Sequence, residues 1–237
     1  MLNFLKGFIT PAAAISPPLD SRAAFRQALL SYPAHVQPHR GFAEALSLEQ
    51  ADLNLQWFTD SLHSRISALQ SFLLTQGIDL HDVDATSLSS KQAALTQIIA
   101  WVRDCWPQEI LRPEHKQYDY WLDCDRQGDD AIYSLALDLG TLFGQWAIAS
   151  RPEWHWGLDL TGASLQDPML QARRVVLTTL PLGPQSVPYQ IDMEAVSVTR
   201  YMAPSLGQYL GELDQDDWML FMHDCHTGRV IDLMQVR

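Results

Sequence analysis

The sequence predicts an α+β protein, with N-terminal helices packed on a C-terminal antiparallel sheet, and three observations carry that prediction. Apolar residues recur every three to four positions through much of residues 47–150. The recurrence changes to simple alternation after Pro152, and turn-forming residues separate short apolar runs near the C-terminus. Helices first and strands later is the order of an α+β fold.

Residues 1–20 hold Pro11, Pro17 and Pro18 and read as an extended lead-in to one domain over 21–237, helical to about 150 and strand-rich from about 151. A short helix is expected over Arg22–Leu30, before Pro33, Pro38 and Gly41 impose a loop. Ser47 and Gln50 have the spacing of a capping box, and Ala51, Leu55, Phe58, Leu62, Ile66, Leu69 and Leu73 follow on one helical face. Gly77 suits the left-handed position that closes such a helix. An acidic loop with Asp79, Asp82 and Asp84 leads to a second capping pair, Ser89 and Gln92. Leu95, Ile98, Ile99, Val102 and Trp106 then line a helix that Pro107 ends.

Residues 107–128 read as a packed irregular connection, and Asp130–Ser150 as a third long helix with Ile132, Leu135, Leu139, Phe143 and Trp146 inward. Gly140 and Gly144 lie one turn apart in it, each costing up to about 1 kcal/mol relative to Ala, which implies close approach of the sheet or another helix. Trp154, Trp156, Leu158 and Leu160 alternate with polar or small residues as in a strand. Further strands are expected at 174–180, 195–201, 218–223 and 229–236, with a helical turn at 205–213. Asp224–Gly228 reads as a hairpin turn between the last two strands.

Charge excludes some functions. Against 28 Asp and Glu stand 16 Lys and Arg, a net charge of −12 that repels phosphates, so no nucleic-acid partner is expected. Cys105, Cys124 and Cys225 are odd in number and far apart, unlike a secreted disulfide framework. The apolar stretch between Lys6 and Ala14 is short and broken by Pro11, which is poor for a signal peptide, and no run approaches the ~20 apolar residues of a membrane span. A cytoplasmic protein with no membrane partner is therefore expected.

Common catalytic signatures are absent: no phosphate-binding loop, dinucleotide glycine fingerprint, nucleophile elbow or metalloprotease helix is present. Asp123-Cys124-Asp125-Arg126-Gln127-Gly128 begins like a calcium loop, but the twelfth position is Ser134 where a bidentate Glu is needed. His223, Cys225 and His226 offer metal-ligating atoms, yet strand neighbours point to opposite faces and a second ligand pair is missing. The expectation is no catalytic residues, no cofactor and no metal. The alternatives are an enzyme of an unrecognised class, centred on Cys225, His223, His226 or the Asp123–Asp130 loop, and a self-assembling structural subunit.

The run Leu137-Asp138-Leu139-Gly140-Thr141-Leu142-Phe143-Gly144-Gln145-Trp146, followed by Pro152, Trp154 and Trp156, resembles a helix-to-strand pattern of small bacterial domains of the immunity-protein type, associated with toxin systems. The turn Asp224–Val230 is similar to hairpins in such folds. The resemblance implies a non-enzymatic module that binds and neutralises a cognate toxin, and it transfers no functional residue. An acidic surface would suit a basic toxin. Partner-binding candidates are Asp79, Asp82 and Asp84, then Asp123, Asp125, Asp129 and Asp130, then Asp214, Asp216 and Asp217, with Trp121 as an exposed aromatic anchor.

Overall fold

The computed structural model describes residues 21–41, 43–107, 109–117, 119–161, 172–179, 190–201 and 222. The expectations for residues 1–20, 205–213 and 224–236, with Asp214, Asp216, Asp217, His223, Cys225 and His226, lie outside these. Met222, within the strand expected at 218–223, has helical backbone.

The protein is α+β. Its first helix, α1, covers Ser21–Leu29 and buries Phe25 and Leu29. The second, α2, covers Leu48–Thr75 and starts with the expected capping box: Gln50 N donates to the Ser47 side chain, and Ser47 N donates to Gln50 Oε1 at 2.8 Å. Gly77 follows it with φ +85°, the left-handed conformation that permits the chain to turn away. Helix α3 covers Leu88–Cys105, two residues earlier than a cap at Ser89 would place it, because Ser87 is the N-cap and accepts from Ser90 N. The described part of residues 107–128 holds a 3-10 turn, Pro113–Lys116, and a short α-helix, α4, Tyr120–Asp123.

Helix α5, Ala131–Ser150, is buried continuously from Ala131 to Gly144, as expected of a helix that is apolar nearly all round. Strands β1 (Trp154–Leu158), β2 (Val175–Thr179) and β3 (Gln190–Ile191) form an antiparallel sheet in that order. Trp154 pairs with Thr179 and Leu158 with Val175; Leu177 pairs with Ile191. Every residue of β2 is buried, as befits the middle strand.

The strand expected at 195–201 is a helix, α6, Met193–Tyr201. Valines and a threonine give it a strand-like look, but Asp192 overrides them. Its carboxylate accepts Ala195 N at 2.8 Å, the N-cap geometry, and Glu194 occupies the first turn, where a negative charge is favoured. Helix α6 packs on α5 at Gly140, and the Trp156 ring packs at Gly144. The two glycines thus admit a helix and a strand side chain, as their spacing predicts.

Candidate functional site

The chain between α1 and α2 runs extended through Tyr32, Pro33 and Ala34 to His35, whose side chain is 1% exposed. Four elements converge on it. From α2, Arg65 donates to the carbonyls of Pro33 and Ala34 at 2.9 and 3.1 Å. From α5, Ser134 Oγ accepts His35 N at 2.9 Å, and Arg126, just before α5, donates to the His35 carbonyl. The Arg126 backbone has φ +55°, a left-handed conformation uncommon for a non-glycine residue.

Asp138, in the middle of α5, collects the cations. It accepts Tyr32 Oη at 2.6 Å, Arg65 Nε at 3.0 Å and His35 Nδ1 at 2.8 Å, and a second Arg65 nitrogen pairs with its other oxygen. On the opposite side of the imidazole, Nε2 lies 3.0 Å from Glu194 Oε1 of α6, within ion-pair range though poorly aligned for a hydrogen bond. Glu194 also accepts from Arg174 at 3.1 Å and from Gln37 at 3.3 Å. Arg174 in turn pairs with Asp192 and lies 4.8 Å from the centre of the Trp121 ring. The result is a buried alternating row of charge: Arg65, Asp138, His35, Glu194, Arg174, Asp192.

A carboxylate beside each ring nitrogen favours the imidazolium form of His35. Burial disfavours its charge, but Glu194 and Asp138 together outweigh that and raise its pKa above the ordinary 6.5. Burial would likewise raise Glu194, yet the His35 and Arg174 charges bring it down to about 2. Tyr32 is held well above its ordinary value by burial and by Asp138, so it remains a donor.

These directions fix a pH dependence. His35 is raised in the folded state, so its contribution is complete below 6.5 and is lost as pH rises through the higher folded value. Glu194 is depressed, so its contribution is present above 4.5 and is lost as pH falls toward about 2. Melting temperature against pH is expected to fall on both limbs, and His35→Gln to lose the extra decline on the alkaline one. Superimposable alkaline slopes for the two proteins would contradict the assignment.

Chemically the row is a clasp. Its side chains from Arg65 to Asp192 are at most 9% exposed, so no substrate reaches the imidazole; what it does is tie the 32–35 segment, α2, α5, the start of β2 and α6 together. Among the described residues, no three His, Cys, Asp or Glu side chains are grouped to hold a metal ion.

The candidate residues named from the sequence separate into two kinds. Asp79, Asp82 and Asp84 are exposed; Asp79 Oδ1 accepts His81 N, and Asp84 Oδ1 accepts both Thr86 N and Thr86 Oγ1. The Asp123–Asp130 loop instead spends most of its charge internally. Asp129 pairs with Arg26 and Asp125 with Arg40, while Asp123 and Asp125 stay exposed. Asp130 is buried, contrary to its expected place on a binding surface: His115 Nε2 lies 2.6 Å from it, and Arg112 and Tyr120 donate to it at 3.0 Å each. Desolvation and that bond to Asp130 push Tyr120 up to about 12. Trp121, expected as an exposed anchor, is also buried, because its ring packs against Arg174 and its carbonyl accepts from Arg126.

Sequence reading missed every member of the charge row. A usable signal existed, since Arg65 interrupts the apolar stripe of α2 and Asp138 is the lone charge in a helix otherwise built of apolar and small residues. No family model, curated protein or solved structure matches the chain.

Proposed function

We propose that this chain is a non-enzymatic protein-binding module, most concretely an immunity protein that neutralises a basic toxin in the bacterial cytoplasm by covering it with an acidic surface. One observation carries the reading. Among the described residues, the buried charged side chains are the four bases Arg65, Lys91, Arg126 and Arg174 and the five acids Asp130, Asp138, Asp159, Asp192 and Glu194, beside the histidines His35 and His115. These nearly cancel, so little of the chain's net charge of −12 is taken up in the described interior. The exposed Asp79, Asp82 and Asp84 are the described part of that excess best placed to meet a partner.

The test is co-expression with the protein encoded beside it, followed by affinity capture and a toxicity assay. Capture and rescue are expected. Replacing Asp79, Asp82 and Asp84 together by Asn, which preserves the turn geometry at Asp79 and Asp84, is expected to slow association about tenfold at low salt, to flatten its salt dependence and to leave the melting temperature unchanged. If the intact protein neither retains the neighbour nor rescues, the immunity reading is wrong.

A further inference from the structure

Acidic and apolar residues are interleaved through Asp79-Leu80-His81-Asp82-Val83-Asp84-Ala85. The aspartates point outward, while Leu80 is buried and Val83 and Ala85 are half-buried. The apolar members form one wall of a half-open groove of about 230 Å³, with Ile66 and Gln70 of α2 and Leu142 and Trp146 of α5 opposite. It opens where α5 first reaches the surface, at Gln145, after fourteen consecutive buried residues, Ala131 to Gly144.

Its size is below the roughly 300–1,000 Å³ of small-molecule sites, and it suits one or two aliphatic side chains. Electrostatics select what accompanies them. Lys91, the cation near this rim, is fully buried, with its ammonium directed at the Trp146 carbonyl and the Ser150 hydroxyl. Asp84 stays ionised, because its bonds to Thr86 lower its pKa, with help from Lys91. The 79–85 wall therefore carries negative charge beside an apolar floor, and Gln70 and Gln145 add polar atoms to the lining.

Resting on the protein-binding reading above, we infer that this groove is the anchor site for the partner: it takes one aliphatic side chain of a basic segment, with lysines or arginines on either side meeting Asp79, Asp82 and Asp84. Affinity comes from burying the aliphatic group, and orientation from the flanking charges.

The full chain is titrated, by NMR, with a pentapeptide of Leu flanked by two Lys on each side, with its Leu→Gly counterpart, and with a version carrying Glu in place of Lys. Saturable shifts are expected at the Trp146 indole and the Val83 and Ala85 methyls. The Gly peptide is expected to bind at least about tenfold more weakly, the factor that burial of a leucine side chain supports. The Glu peptide is expected to cause no shift at those positions. Ala149→Trp, at an exposed position on the groove lip, is expected to abolish the shifts with an unchanged melting temperature. Equal binding of the Leu and Gly peptides, shifts that map elsewhere, or shifts that grow with protein concentration alone and so report a second copy, each overturn the proposal. These arms do not depend on the toxin: absent Leu-selective shifts with toxicity rescue intact sink the groove and spare the immunity reading, whereas selective shifts without rescue do the reverse.

Discussion

Asp138→Leu is expected to destabilise the protein by about 3–5 kcal/mol, a fall of roughly 6–20 °C in melting temperature for a chain of this size. The carboxylate is the common acceptor for Tyr32, His35 and Arg65, and all three are buried. Removing it leaves a guanidinium without its counter-charge in a low-dielectric interior, the circumstance in which a broken ion pair costs most. His35 keeps Glu194, so half of its compensation survives. Because the loss lies mainly with the stranded arginine, adding Arg65→Met should recover a large part of the stability, and the double variant should melt above Asp138→Leu alone. Thermal unfolding of the three proteins decides it. If Asp138→Leu melts within about 2 °C of the parent, the row of charges is not what holds these elements together.

The second large effect is expected at Gly140. Alanine there would add about 1 kcal/mol of helix propensity, but its methyl would lie 2.3 Å from the Met193 carbonyl oxygen and 2.9 Å from Ser197 Cβ. A backbone oxygen cannot rotate aside, so α6 must move. Overpacking of this kind costs about 1–3 kcal/mol, which outweighs the propensity gain. Displacing α6 also disturbs the contact of Glu194 with His35 and the bond from Ser197 to the Ala136 carbonyl. At Gly144 the methyl would lie 2.4 Å from the edge of the half-buried Trp156 ring, a side chain with some room to tilt. Gly140→Ala is therefore expected to be the more damaging of the two alanine variants. A melting temperature for Gly140→Ala at or above the parent's would refute this account of the helix contact.

What could be read from the sequence was what short range determines. The Ser47–Gln50 box, Gly77, the buried stripe of α5 and the strands at 154 and 175 each depend on neighbours within a few positions. The sequence of α6 reads as a strand because Val196, Val198 and Thr199 favour extended backbone, while the deciding residue, Asp192, sits just before the segment. The start of α3 reads two residues late because Ser87 and Ser89 both have the chemistry of a cap, and the fold of the preceding loop, with Asp84 N donating to Ser90 Oγ, selects the earlier one. Local pattern flags Arg65 and Asp138 as charges on apolar faces, but not which residues they meet. The partners in the charge row meet only in three dimensions, and the same holds for Asp130, whose acidic neighbours gave it the look of a surface residue while His115 and Tyr120 were waiting to enclose it.

The clasp also bears on how the molecule comes apart. Gln37 and Glu194 stand 157 positions apart, and His35 and Asp138 103, so the row stitches remote stretches of chain into one unit. A helix of nine residues would ordinarily open by itself. Here α6 cannot leave without taking Glu194 from His35 and Arg174, and the abandoned cations then oppose every other contact that keeps α2 and α5 closed. Opening of α6 is thereby coupled to opening of α2 and α5, and the three elements come apart together.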